Sequence, residues 1–197
     1  MKINKDCKIE NSNDLINLMK DYIIDLEDFK KYDKNKAFCH EITINESELF
    51  IFLTSKTLLT NILKQKIYDE SIIAIDATYN TNLLHLPLII LGTIDLDHKF
   101  HLVNMVLLKS ETELAYEKIF SKFRDIINHT FHPFVLHLKY VLSDGDLSIR
   151  NAAKKVFPDI QNILCYFHML KRISHKLSQK DYCPTAKLTD DYIHILP

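Results

Sequence analysis

Two aspartates that follow apolar segments are the residues of this sequence best suited to bind a metal ion. Asp76 closes the run Ile72–Ile75, and Asp144 comes after the apolar segment Val135–Leu142. A carboxylate at the end of a buried strand is costly unless it is hydrogen-bonded, paired or bound to a cation. If the two strands are neighbours, both carboxylates lie at one sheet edge and offer the oxygen ligands that Mg²⁺ prefers. Two ions held there would support phosphodiester cleavage, because they activate the attacking oxygen and stabilise the leaving one.

A structural role also explains these two aspartates. Asp76 could bond to Thr78 or to backbone amides at the strand end. Asp144 could begin a turn with Gly145, since Asp-Gly is a common turn dipeptide. On spacing alone the structural alternative is favoured, and both interpretations stay open.

A second set of candidate residues lies on a predicted helix near residue 170. Cys165 and His168 are three residues apart, so they share a helical face. Structural zinc needs four ligands, and Cys183 is the only later thiol, so we expect no zinc site. The simplest interpretation makes Cys165 a small buried residue and His168 a hydrogen-bonded polar group. Lys171 and Arg172 suit phosphate contacts, although ordinary surface positions explain them equally well.

The elements that must position these residues follow from the spacing of apolar side chains. Apolar runs predict strands at residues 37–44, 48–53, 71–79, 86–94, 100–108, 135–142 and 161–164. Helical spacing predicts helices from about residue 14 to 26, from Ser55, after a capping box at Ser110–Glu113, from Asp146 to about Phe157, and over 165–177. From residue 71 the order is β-β-β-α-β-α-β-α, which is typical of an α/β fold with a mixed sheet flanked by helices. We divide the chain into an N-terminal helical and strand arm, residues 1–69, and a domain, residues 70–197.

Composition excludes several classes of protein. The 197 residues include 25 basic and 26 acidic side chains, so the chain lacks the strong positive charge of many nucleic-acid-binding domains. Two glycines are too few for a glycine-rich phosphate loop. The four cysteines form no Cys-x-x-Cys pair, which indicates reduced thiols and an intracellular protein. No signal peptide and no apolar run long enough to span a membrane are found.

Five short motifs occur in series: Ile-Asp-Ala-Thr-Tyr at residues 75–79, Pro-Leu-Ile at 87–89, Asp-Gly at 144–145, Phe-Pro at 157–158 and Cys-Tyr-Phe-His at 165–168. Together they resemble the catalytic domain of Mutator-like element (MULE) transposases. The resemblance implies an RNase H-like DDE fold in which Asp76 and Asp144 are the first two metal-binding acids of a two-ion Mg²⁺ or Mn²⁺ site. It implies cleavage and transfer of DNA at transposon ends, a nuclear location and an assembly that could be homo-oligomeric. Cys165 and His168 would form a supporting motif, with His168 beside the acids or against DNA.

The sequence departs from the family pattern at the third acid, a glutamate on a later helix. The last glutamate here is Glu117, which precedes Asp144, and the context of Asp181, Asp190 and Asp191 makes them poor substitutes. Asp146 is expected to cap the following helix rather than bind metal. We therefore expect a partial domain, truncated at its C-terminus or decayed, and leave open whether it is an enzyme. The alternative is a non-catalytic remnant or a domesticated DNA- or protein-binding module on the same fold.

Overall fold

A seven-stranded mixed sheet organises the chain. The computed structural model describes residues 12–24, 28–45, 47–65, 71–132 and 138–178. The strands are β1 (Phe38–Ile44), β2 (Leu49–Thr54), β3 (Ser71–Thr78), β4 (Leu88–Ile94), β5 (Phe100–Leu108), β6 (Leu138–Ser143) and β7 (Gln161–Leu164). Their order across the sheet is β1-β2-β5-β4-β3-β6-β7. Each predicted strand is present with its ends moved by no more than a few residues.

The antiparallel and parallel parts of the sheet meet at β3. This strand pairs antiparallel with β4 on one side and parallel with β6 on the other. Ile73 and Ile75 are buried, as expected for a β-branched run in a central strand. β6 and β7 are also parallel, and a parallel neighbour requires a crossover connection, here a helix.

Helices pack against this sheet and complete the mixed α/β fold that the sequence predicts. They are α1 (Ser12–Met19), α2 (Lys56–Leu59), α3 (Glu113–Thr130), α4 (Leu147–Val156) and α5 (Tyr166–Ser178). Buried apolar side chains of α3 and α4 share one core with Phe50 and Phe52 of β2. Ile51, between them, faces the other side and packs with Leu15 of α1. Within the described residues, none of the helices has the length and apolar character that a membrane-spanning helix needs.

Two helix starts test the capping predictions. Ser55 caps α2 as predicted, because its hydroxyl accepts a hydrogen bond from the Leu58 N–H at 3.2 Å. The predicted capping box at Ser110–Glu113 is wrong. Thr112 caps α3 by accepting from the Ala115 N–H at 3.2 Å. Glu113 does not fold back on the helix start, because its carboxylate pairs with Lys155 of α4 at 2.6 Å.

The N-terminal segment is not the single long helix that its apolar spacing predicts. α1 ends at Met19, and a 3₁₀ turn over Lys20–Tyr22 leads to Ile23, which forms an isolated bridge with Cys39 of β1. Leu26, the last member of the apolar stripe, lies outside the described residues. The backbone at Ile23, which the apolar spacing predicted to be helical, therefore pairs with β1 instead.

The charged segment after α1 contributes an aromatic residue to the core. Phe29 is 6% exposed and packs edge-on against Phe38, with ring centroids 5.5 Å apart. The ammonium of Lys56 lies over the Phe29 ring, 4.9 Å from its centroid. Because its sequence neighbours are charged, Phe29 could not be recognised as a core residue from the sequence.

The N-terminal strands and the later strands form one sheet. β2 pairs antiparallel with β5, from Phe50 opposite Leu108 to Leu53 opposite Met105. The boundary that we placed between residues 69 and 70 falls in a segment outside the described residues. The division into an arm and a domain stays a prediction.

Candidate functional site

Asp76 and Asp144 lie at the same edge of the sheet, at matching positions on two neighbouring strands. β3 and β6 run parallel, with Ala74 opposite Leu142. Each aspartate stands two residues beyond that pair, Asp76 within β3 and Asp144 directly after β6. The parallel register therefore places both carboxylates at the end of the same strand pair.

The Asp76 carboxylate faces outward from the strand. Its side chain is 62% exposed, and its Oδ1 lies 3.9 Å from the Nε2 atom of His168 on α5. The other ring nitrogen of His168, Nδ1, is buried and has no hydrogen-bond partner among the described residues. An exposed carboxylate beside an imidazole is open to an ion or substrate.

Asp144 begins a tight turn and so retains part of its structural role. Its Oδ1 accepts a hydrogen bond from the Asp146 N–H at 2.9 Å, which uses one of the two carboxylate oxygens. Gly145 has φ +86°, a conformation that favours glycine, and a Cβ there would lie 2.7 Å from Leu164 Cδ1. Asp146 caps α4 as predicted, accepting from the Ser148 N–H at 2.7 Å. The turn thereby holds Asp144 at a defined point of the edge.

The Cys-x-x-His motif connects α5 to the aspartate strands. Cys165 is half-buried between β7 and α5, and its N–H donates to the Ser143 carbonyl at 2.7 Å. Its own carbonyl accepts from the Met169 N–H at 2.9 Å and so starts the helix. This junction fixes the first turn of α5 and brings His168 over Asp76. Cys183 lies outside the described residues, as do Asp181, Asp190 and Asp191.

A carboxylate that the sequence did not single out stands at the same edge. Glu111, between β5 and α3, accepts hydrogen bonds from the hydroxyls of Tyr79 and Tyr116, both at 2.5 Å. The bond to Glu111, followed by burial and the nearby charges of Asp144 and Asp76, raises the pKa of Tyr79 to about 12. Burial, then the same carboxylate, raises the pKa of Tyr116. The available signal was an acidic residue three positions after the end of β5, in the connection to α3.

The decisive comparison concerns residues 72–172, which match the family model of the MULE transposase domain. The chain belongs to this family. No curated protein matches it. The matched segment begins in β3 and ends in α5, and so contains both aspartates, Glu111 and the Cys-x-x-His motif. The MULE domain therefore includes the whole edge described above.

An open groove of about 610 Å³ runs along α5 of the MULE domain and is lined at one point by Asp144. Its walls combine one acid, apolar side chains and several cations: Asp144, Leu164, His168, Lys171, Arg172 and Lys176. No acidic residue occurs from Gln161 to Ser178, so α5 contributes only positive and neutral side chains. The apolar stripe of α5 is not covered within the described part of the chain, and Phe167 is 67% exposed.

Among the described residues, no three His, Cys, Asp or Glu side chains are close enough together to hold a metal ion. Mg²⁺ commonly binds through one or two protein carboxylates together with waters and substrate phosphates. The pair Asp76 and Asp144 fits that chemistry for one ion, whereas a second ion needs a further acid.

Proposed function

We propose that this MULE domain is the core of a DNA transposase whose Asp76 and Asp144 hold Mg²⁺ or Mn²⁺ during phosphodiester cleavage and transfer at transposon ends. The observation that carries the proposal is the parallel β3–β6 register, which brings two acids from distant parts of the chain to one open edge. When bound there, the ion would polarise a phosphate oxygen and favour an ionised nucleophile. A nuclear location and a homo-oligomeric assembly belong to the same proposal.

The groove supplies the positive charge that DNA binding requires. Lys171 and Arg172 are exposed on α5 and line the groove that contains Asp144. Cations on one side of a catalytic acid pair neutralise phosphates and hold the backbone against the acids. Since the whole chain has a net charge of −1, binding would depend on this local patch rather than on overall attraction.

A second function, DNA binding without cleavage, is favoured by one observation. Within the described residues, no third acid completes a metal-binding set with Asp76 and Asp144. A domain with two acids would retain the groove and one ion while lacking the second ion of two-ion catalysis. Cleavage therefore distinguishes the two functions, and DNA binding does not.

The test combines strand cleavage with DNA binding by the whole chain. Plasmid DNA with Mg²⁺ or Mn²⁺ is followed for nicking by the unaltered chain, Asp76→Asn and Asp144→Asn. The transposase proposal expects metal-dependent nicking that both substitutions abolish. DNA binding without metal-dependent nicking would favour the non-catalytic function.

Binding to a duplex is measured against salt for the variant Lys171→Ala/Arg172→Ala, with Lys99→Ala as the control. Lys99 is exposed and precedes β5, at the end of β4 remote from Asp76. Loss of two phosphate contacts should flatten the salt dependence by about two units of slope, and the control should not. Equal binding by both variants would exclude α5 as the DNA-binding surface.

A further inference from the structure

Four chain segments meet at the edge that contains Asp76 and Asp144. Thr78 at the end of β3 pairs with Leu88 at the start of β4, and Leu88 pairs with Leu107 near the end of β5. Tyr79 directly follows β3, and Glu111 follows β5 by three residues. The antiparallel pairings of β3, β4 and β5 thus place Tyr79 and Glu111 at the edge where Asp76 lies. The parallel pairing of β3 with β6 brings Asp144 to the same edge.

Glu111 is held from the core side. Tyr116 is buried on α3, and its hydroxyl donates to Oε2 of Glu111. The hydroxyl of Tyr79 donates to Oε1, so each oxygen of the carboxylate receives a phenol proton. A buried tyrosine therefore fixes the carboxylate, and the carboxylate fixes the outer tyrosine. Tyr79 itself is 55% exposed, so it is accessible at this edge.

This arrangement determines the direction of hydrogen bonding at Tyr79. A phenol has one proton to donate and lone pairs with which to accept. Because an ionised carboxylate only accepts, the Tyr79 proton is committed to Glu111 and the remaining lone pairs are what the oxygen offers to the site. Those lone pairs suit a hydroxyl or water, which has a proton to donate, and not an anionic phosphate oxygen, which has none.

We propose that Tyr79 accepts a hydrogen bond from the water or hydroxyl that enters the Asp76–Asp144 site, and that Glu111 is the positioning residue that keeps Tyr79 an acceptor. The inference rests on the proposed metal site, and it adds to that site an outer contact for the nucleophile. Tyr79 would orient the nucleophile through the lone pairs of its oxygen. Its hydroxyl proton would stay on the phenol and in the hydrogen bond to Glu111 throughout. The raised pKa of Tyr79 agrees with a phenol that stays protonated near neutral pH.

The test measures Mn²⁺ binding by the whole chain, from the electron paramagnetic resonance signal of free Mn²⁺. The variants are Tyr79→Phe, Glu111→Gln and both together. Tyr79→Phe removes one hydrogen bond to water in the site and should weaken binding about three- to tenfold. Glu111→Gln keeps the phenol but lets the amide donate to it, so the phenol proton turns toward the site and binding should weaken at least as much. The double variant should bind no more weakly than the weaker single variant, because Glu111 acts through Tyr79.

Glu113→Gln is the matched control. It also removes one negative charge close by in the chain, but the Glu113 carboxylate pairs with Lys155 and Asn151 on α4 instead of with Tyr79. It should bind Mn²⁺ within about twofold of the unaltered chain. Circular dichroism of each variant checks that the fold is intact.

Each result decides between the proposals. If Asp76→Asn and Asp144→Asn abolish Mn²⁺ binding while Tyr79→Phe and Glu111→Gln bind like Glu113→Gln, the metal site stands and the role of Tyr79 is wrong. Additive effects in the double variant would equally overturn the positioning role of Glu111. If the unaltered chain binds no Mn²⁺, both this inference and the proposed metal site fail.

Discussion

Residues of the same type at the site edge have different roles, and their hydrogen bonds distinguish them. Asp144 and Asp146 are two residues apart, yet Asp146 accepts the N–H of Ser148 and caps α4, whereas Asp144 supports the turn with one oxygen. Asp76 is more exposed and lies beside His168. Metal binding at this edge would therefore involve Asp76 and Asp144, with Asp146 as part of the scaffold.

The cap role of Asp146 predicts a specific stability effect. Asp146→Ala should lower the free energy of unfolding by about 1 kcal/mol, because the Ser148 N–H loses its partner at the helix start. Asp146→Asn should retain most of the stability, since asparagine is an equally good cap. Urea denaturation of both variants measures the difference. Equal losses would show that charge, and not the cap bond, is what Asp146 contributes.

His40 on β1 predicts a pH dependence. Burial, and then the positive charge of Lys122, lowers the pKa of His40 below its ordinary value of 6.5. At higher pH the ring is neutral in both states and contributes nothing. As the pH falls through the ordinary value, the unfolded chain takes up the proton first, so the free energy of unfolding decreases. His40→Leu should therefore lose less stability than the unaltered chain between about pH 7.5 and pH 5, as measured by urea midpoints. An unchanged pH slope would show that His40 is protonated equally easily in both states.

At the scale of elements, the β4–β5 pairing depends on a glycine. The register between these strands shifts at Leu91 and Gly92. A Cβ at Gly92 would lie 2.4 Å from the His101 carbonyl oxygen and from Cζ of Phe100, whose ring covers the position. No flexible neighbour can relieve the contact with the backbone oxygen, so this strand pair tolerates only glycine there.

Gly92→Ala should therefore lower the free energy of unfolding by about 1–3 kcal/mol. Adding Phe100→Leu removes the ring contact but leaves the carbonyl of His101 in place, so the double variant should recover only part of the loss. Thermal and urea unfolding of the three chains measure this. Complete recovery would assign the whole cost to the ring, and no loss in Gly92→Ala would show that the strands can separate freely.

At the scale of the whole molecule, the N-terminal strands complete the sheet that carries the site. β2 covers the edge of β5, and Phe50, Phe52, Val106 and Leu108 are buried across or beside that pairing. The MULE match begins at residue 72, but the sheet continues through two earlier strands. An exposed β5 edge would offer unpaired backbone groups and apolar side chains to other chains.

A chain that begins at Ser71 should thus aggregate or unfold without cooperativity, because it lacks the partner of β5. A chain that begins at Ser12 retains every strand and is the control. Size-exclusion chromatography and urea denaturation compare the two. If the chain from Ser71 were monomeric and unfolded cooperatively, the matched segment would be an independent folding unit and the β2–β5 pairing dispensable.

The strands, the later helices and the two aspartates could be predicted from the sequence because the signals are local. A short run rich in β-branched residues such as Ile72–Ile75 favours a strand, and Asp146 caps a helix through a neighbour two residues away. The motifs around Asp76 and Asp144 also indicated the family that the match at residues 72–172 shows. Local signals failed where a distant partner decides the conformation of the backbone. The first helix ends at Met19, and Ile23, which the apolar spacing predicted to be helical, pairs with Cys39 of β1.

What the tertiary structure decided is which residues share the edge. The parallel pairing of β3 with β6 places Asp144 beside Asp76, and no local signal specifies that these two strands are neighbours. The antiparallel pairings of β3 with β4 and of β4 with β5 bring Glu111 and Tyr79 together across 32 positions of the chain, and no periodicity in the sequence reveals this contact. The sequence by itself determined the residue types and the elements. The long-range register determined which of their side chains meet, because a hydrogen bond depends on distance in space and not along the chain.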